Sequence, residues 1–286
     1  MAKKFKILVT GANGQLGQCI QRVSGHLEHE LYYFSSSELD ITNKSSVDEI
    51  CKKINPDFII NAAAYTQVDK AEDEEERAFA VNHIGVRNLT DYCKQLNCGL
   101  IHISTDYVFD GEKHSPYIET DEVNPQTVYG RSKLAGEVEI LDAKLSKFAV
   151  LRTSWLYSAY GHNFPKTMLK FANDRDSLKV VNDQHGSPTS AHDLAEAILK
   201  MIPQLTSENS GIYHFSNGGI TTWFGFAKAL FEQRGVEIEL IPVTSEEFPA
   251  KAKRPKYSKL ENVSVAECFD LEIENWQNAL DKTEFS

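Results

Sequence analysis

The chain has 286 residues, 41% apolar and 25% charged, with a formal net charge of −11. That length can bury a substantial core in one large α/β domain or two modest ones. The excess of acid excludes general nucleic-acid binding, and no apolar run approaches the roughly 20 residues that a membrane helix needs.

The elements follow in chain order. "MAKKFKILVT" sets lysines before an apolar stretch, as a secretory leader does, but the stretch is short and runs into a glycine turn, so residues 6–10 are read as a first strand. A helix follows to about Ser24, then a strand at "ELYYF". "SSVDEICKKIN" predicts a helix with Ser45 or Ser46 as its N-cap and Pro56 beyond its end. "DFIIN" is a third strand. Phe79, His83, Val86, Leu89, Cys93 and Leu96 fall at helical spacing and predict one helix over residues 75–97. The acidic run "KAEDEEER" that overlaps its start is read as a solvated helix start. "GLIHIS", a helix over 129–142 and "FAVLRTS" continue the alternation.

Strands alternating with helices predict a Rossmann-type α/β fold, a doubly wound parallel sheet covered on both faces. After Trp155 the pattern loosens, with helices near 163–174 and 192–201 and strands near 178–181 and 211–215. The expected division is residues 1–158 for a dinucleotide-binding domain and 159–286 for a smaller C-terminal substrate lobe, with the strand near 211–215 free to return to the large sheet.

"VTGANGQLGQ" spaces Gly11, Gly14 and Gly17 as GxxGxxG. The first glycine suits a tight turn out of the strand, the second a close approach of backbone to a pyrophosphate, the third close packing of helix on sheet. The helix N-terminus then offers N–H groups and positive dipole to phosphate. A glycine-rich turn without a ligand is the plain alternative. The place of the loop between first strand and first helix favours a dinucleotide, with Asn13, Gln15 and Leu16 completing its cradle.

Dinucleotide sites for NAD commonly carry an acid at the end of the second strand. Here Ser35, Ser36 and Ser37 stand there. Ser36 can donate to a 2′-phosphate, which favours NADP(H), or tolerance of both NADP(H) and NAD(H). Asp40, followed by Ile41, can accept from an adenine amino group or simply cap the next helix. Ala62, Ala63 and Ala64 follow the third strand and let a flat ligand lie against backbone, although tight helix–sheet packing would use them too.

Tyr129 and Lys133 lie four apart and share one helix face. A phenol is a poor proton donor at neutral pH unless a nearby ammonium stabilises its phenolate. Thr105 or Ser104, at the end of the fourth strand, can bond the same substrate oxygen, making a donor, a tuner and an orienting hydroxyl. A surface Tyr–Lys pair is the ordinary alternative.

With "TGANGQLG", "ELDIT", "NAAAYTQVDKAE", "STDYVFDG", "VYGRSKLAGE", "LRTSWLYS", "NDQHGSPT", "GIYHFSNGG" and "RPKYSKL" on view, the chain resembles the extended short-chain dehydrogenase/reductase superfamily. Within it the resemblance is to the family that reduces the 4-keto group of a dTDP-linked deoxysugar to give dTDP-L-rhamnose. The resemblance implies NADP(H) or NAD(H) as cofactor and a dTDP-sugar as substrate. It implies Tyr129 as proton donor, Lys133 at the nicotinamide ribose, and Thr105 assisting the tyrosine, with Asp106 and Trp155 lining the sugar site. Some members hold magnesium through glutamates. Here Cys19 and His192 stand at those places, so no metal is expected, and a homodimer stays open. A dehydratase of this fold would place a second carboxylate after Asp106, where this chain has Tyr107. An epimerase of this fold, or a non-catalytic dinucleotide-binding subunit, is the remaining alternative.

The five cysteines, Cys19, Cys51, Cys93, Cys98 and Cys268, include no CxxC pair, which points away from zinc and towards reduced thiols in the cytoplasm. Lys251, Lys253, Arg254, Lys256 and Lys259 crowd one segment without an acid among them. Either that segment is a solvated basic loop, or it folds over the sugar nucleotide with Arg254 on its diphosphate. Pro255 favours extended chain at Arg254, which suits a lid.

Overall fold

The structure, a computed structural model, describes residues 4–26 and 28–285. Five short apolar strands, β1 (Lys6–Thr10), β2 (Glu30–Phe34), β3 (Phe58–Asn61), β4 (Gly99–Thr105) and β5 (Phe148–Thr153), lie side by side and parallel. Successive side chains point to opposite faces, so each strand feeds two cores. Ile7 and Val9 of β1 enter a cluster with Ile101 and Leu151, whereas Leu8 joins Ile59, Leu100 and Val150.

Helices cover both clusters. On the first lie α1 (Gln15–Val23), α6 (Ala191–Met201) and α8 (Val263–Phe269), through residues such as Ile20, Ile198 and Phe269. On the second lie α2 (Lys44–Ile54), α3 (Val86–Leu96) and α4 (Val128–Ala143), through Val47, Leu89 and Ile140. This is the doubly wound arrangement that the alternation predicts.

A sixth strand, β7 (Gly211–His214), pairs parallel with β5, and the sheet order is β7-β5-β4-β3-β1-β2. The strand near 211–215 therefore does return to the large sheet. With α6 packed on α1, chain beyond residue 158 contributes to both cores. The lobe's own core gathers Tyr157, Leu178, Phe226, Phe231, Trp276 and Leu280. It is built from α5 (Phe164–Asp174), α7 (Trp223–Arg234), α9 (Trp276–Lys282) and a parallel pair, β6 (Ser177–Val181) with β8 (Glu239–Val243).

Two expectations need correction. The cap of α2 is Asn43, whose side chain accepts the N–H of Ser46 at 3.2 Å, so the serines are inside the helix. Residues 75–97 are not one regular helix. Glu75–Phe79 runs into a π-helical stretch, Ala80–Gly85, before α3 begins. The wider turn holds Asn82 fully buried, with its amide on the backbone N–H and C=O of Tyr65 and on Ser132 Oγ of α4. Leu96, counted in the apolar stripe, is 50% exposed.

Candidate active site

The chain leaves β1 towards β2 on one side and enters β3 on the other, so the strand order reverses between β1 and β3. Ligands in open parallel sheets bind in the crevice outside such a reversal. Gly11 turns the chain there at φ 68°, a left-handed conformation that side chains disfavour. A Cβ on it would sit 2.7 Å from the Ala62 carbonyl and the Ala63 nitrogen, so the loops after β1 and β3 touch through a hydrogen atom's width.

Gly14 is the N-cap of α1. It makes no side-chain cap, and the first turn carries no acid. That end of the helix is electrostatically suited to a pyrophosphate, and the cradle fits a dinucleotide. Leu16 is buried beneath it, while Asn13 is exposed and accepts from Gln18 through its carbonyl. Gln15 does something else. Its Oε1 accepts from Ser158 Oγ and Asn163 Nδ2, which ties the glycine loop to the start of the lobe.

The end of β2 departs from expectation. A carboxylate is present, that of Glu38, accepting from the Ser35 N–H at 2.9 Å and the Ser35 hydroxyl at 2.6 Å. Those bonds hold its carboxyl below the usual range. The reading that no acid stands there fails because the turn folds back a residue three positions on. Ser36 is exposed. Asp40 does not cap α2; its Oδ1 accepts from the Thr42 N–H and hydroxyl in the turn before the helix, and Ile41 is buried against Gly85.

The Tyr–Lys pair lies on α4, which begins where Thr127 caps the Gly130 N–H at 3.0 Å. Gly130 admits the carbonyl of Tyr107, to which a Cβ would come within 2.2 Å, so the helix start is pressed onto the turn after β4. This brings Tyr129 against the turn that follows Thr105, whose hydroxyl donates to Asp106 Oδ1 at 2.9 Å. Tyr107 meets the Tyr129 ring edge-on, with 5.5 Å between centroids. Burial pushes the phenol up to about 12; the Thr105 hydroxyl lowers it and the Asp106 charge raises it. Lys133 is not among the groups that lower it.

Lys133 is 1% exposed and reaches back to the Ile103 carbonyl at 2.5 Å and to His102 Nε2 at 3.2 Å. Burial draws its ammonium down to about 8, opposed by the Glu137 charge. Asp106 is buried, which lifts its carboxyl to about 6 against the hydrogen bond from the Thr105 hydroxyl to Oδ1, while Oδ2 has no partner.

Trp155 stacks on Trp223, with centroids 3.7 Å apart and planes 10° from parallel, and Trp223 Nε1 donates to Gln184 Oε1. Trp223 and Gln184 line a cavity of about 760 Å³ that extends along residues 248–254 to Asp69 and Arg254. Arg254 is not a free cation. Its two terminal nitrogens bond the two Asp69 oxygens at 3.0 and 2.6 Å. Lys251 pairs with Asp73 and Lys253 with Glu112. The acid-free basic segment is thus strapped across the Rossmann half by acids from other loops. Cys19 and His192 line a separate space of about 350 Å³. Among the described residues no three metal-ligating side chains come together.

The sequence profile of the RmlD substrate binding domain family matches residues 5–284. The dTDP-4-dehydrorhamnose reductase of Aggregatibacter actinomycetemcomitans is 40% identical over 96% of this chain and 97% of its own. The chain belongs to the dTDP-4-dehydrorhamnose reductase family. The spore coat polysaccharide biosynthesis protein SpsK of Bacillus subtilis is likewise 40% identical, over 96% of this chain and 95% of its own. A crystal structure of the dTDP-4-dehydrorhamnose reductase of Bacillus anthracis, in complex with NADP, superposes with a TM-score of 0.94 at 41% identity. It covers 98% of this chain and 99% of that one.

For a member of the dTDP-4-dehydrorhamnose reductase family, several residues around the site were not singled out beforehand. They are Asn61, Asp69, His102, Glu137 and Arg152. Glu137 carried a usable signal, because Tyr129, Lys133 and Glu137 repeat at four residues on one helix face. His102 carried a weaker one, alternating with Ser104 along β4.

Proposed function

We propose that the chain reduces the 4-keto group of dTDP-4-dehydro-L-rhamnose to dTDP-L-rhamnose, with NADPH, or NADH in its place, in the cytoplasm. The observation that carries this reading is Tyr129 packed on the turn that follows Thr105 at the end of β4, with Lys133 one turn further along the same helix. Bound nicotinamide supplies the hydride. Tyr129 holds the proton for the keto oxygen, Thr105 orients the phenol, and Lys133 meets the nicotinamide ribose and steadies the phenolate as it forms. Trp155 and Asp106 line the sugar. All five cysteines are free thiols, which fits a reducing compartment.

The test is NADPH absorbance in the presence of protein and the keto-sugar nucleotide. Oxidation should require the keto-sugar, and kcat/KM with NADPH should equal or exceed that with NADH. No oxidation would remove the assignment. Strong selectivity for NADH would trace to Glu38, the acid at the end of β2.

Arg254 lines the cavity of about 760 Å³ with its guanidinium held in place by Asp69, and we assign it to the substrate diphosphate. Arg254→Ala should raise KM for the sugar nucleotide by about 10–100-fold, the loss of one charge-assisted bond, with KM for NADPH nearly unchanged. An unchanged sugar-nucleotide KM would give the diphosphate to other residues.

A further inference from the structure

A chain of buried polar groups runs under the site from β1 to α4. Thr10 Oγ1 donates to Asn61 Oδ1 at 2.7 Å, and the backbone N–H of Ala63 donates to the same oxygen at 3.2 Å. A backbone N–H cannot accept, so the amide oxygen must face it. Asn61 Nδ2 then faces His102 Nδ1 at 3.0 Å and donates. A neutral imidazole that accepts at Nδ1 carries its proton on Nε2. His102 is fully buried, and burial together with the Lys133 charge holds it far below its ordinary value, so it is neutral. Its Nε2–H points at Lys133 Nζ, 3.2 Å away. A proton on Nε2 needs a lone pair opposite, and a lysine has one only as the neutral amine.

We propose that His102 is a positioning residue for Lys133, donating its Nε2 proton to the amine and so setting the pH at which Lys133 loses its charge. The ammonium can form only if the imidazole moves its proton to Nδ1 and the Asn61 amide turns over. That turn sets Nδ2 against the Ala63 N–H, two donors face to face. Thr10 Oγ1, 3.4 Å from that N–H, is then its remaining acceptor. The ionisable groups around Lys133 are few. Glu137, one turn on, favours the charge, but its carboxylate is already bonded by Arg152 of β5 and Ser104 of β4. Tyr129 lies one turn back, and His102 stands on β4. Burial draws Lys133 down to about 8, and the Glu137 charge opposes that shift.

The consequence for catalysis rests on the proposed reduction. A lysine that loses its charge as pH rises through about 8 ceases to steady the phenolate, so kcat/KM for the keto-sugar should fall there. His102→Leu removes the donor that opposes the ammonium. The alkaline limb of kcat/KM should therefore move upward, by roughly 0.5–1 pH unit. If His102 instead accepted from the ammonium, its loss would move the limb downward. A downward shift, or a lower rate with an unmoved limb, overturns the proposal.

A second measurement needs neither the variant nor turnover. In the unaltered protein labelled with ¹⁵N-histidine and assigned through the backbone, His102 should carry its proton on Nε2 above the pH at which Lys133 loses its charge. A proton on Nδ1 there overturns the proposal. Failure of the reductase reading would show separately, as absent NADPH oxidation with the tautomer still as stated.

Discussion

Tyr129→Phe should lower turnover by roughly 10²–10⁴-fold, the usual worth of a positioned general acid, with little change in cofactor affinity. Phenylalanine keeps the ring that packs edge-on to Tyr107 and removes only the phenolic hydroxyl. The size of the loss follows from how little else can give a proton. With its phenol pushed up to about 12, Tyr129 is fully protonated before reaction. It becomes a competent donor only as a positive charge steadies the phenolate. Asp106, at about 6, is the other acidic group shown to act on it, and it is mostly ionised at neutral pH. Steady-state kcat, KM for NADPH and the urea midpoint of the variant decide the matter. Turnover near the parent rate would make Tyr129 a packing residue.

The second large effect concerns stability. Glu137 of α4 and Arg152 of β5 form an ion pair with both side chains nearly or wholly buried, the closest contact being 2.7 Å from Arg152 Nη2 to Glu137 Oε2. Ser104 donates to the same carboxylate, and the guanidinium lies over the Phe109 ring at 5.0 Å. Removing one partner strands the other charge in a medium that cannot solvate it, at a typical cost of about 3–5 kcal/mol. Arg152→Met should lower the unfolding free energy by that amount in urea titrations. The orphaned carboxyl can take a proton, so the deficit should shrink as pH falls. Adding Glu137→Leu should recover much of the loss, because two apolar side chains can replace a buried pair at little cost. A single variant as stable as the parent would mean that water reaches the pair.

The Tyr129 prediction could be written from sequence, whereas the Arg152 prediction could not. Tyr129 and Lys133 are four apart, and helix geometry alone puts them on one face. Glu137 and Arg152 are brought together by the packing of α4 on the sheet. The same division runs through the molecule. The five leading strands, α1 and α4 were legible because each is a short apolar run or a periodic face bounded by glycine, proline or a capping residue. The later chain was legible as far as residue 215, in helices near 163–174 and 192–201 and strands near 178–181 and 211–215, and not beyond it. In "WFGFAKALF" apolar residues fall on all sides of α7, so no face stands out, and β8 exists because β6 is there to pair with it.

By itself, then, the sequence determined the parallel α/β fold, the glycine crevice and the Tyr–Lys helix, since signals within a few residues follow from backbone geometry. It also carried the family's motifs along almost the whole chain. Only the tertiary structure decided the electrostatics. It paired Arg254 with Asp69, 185 residues away, and folded Glu38 back onto Ser35. It buried Lys133 against His102, and it left Tyr129 with a raised phenol where the local pairing suggested a lowered one. Charge states depend on burial and on partners brought from distant segments, and neither is written in the spacing of residues along the chain.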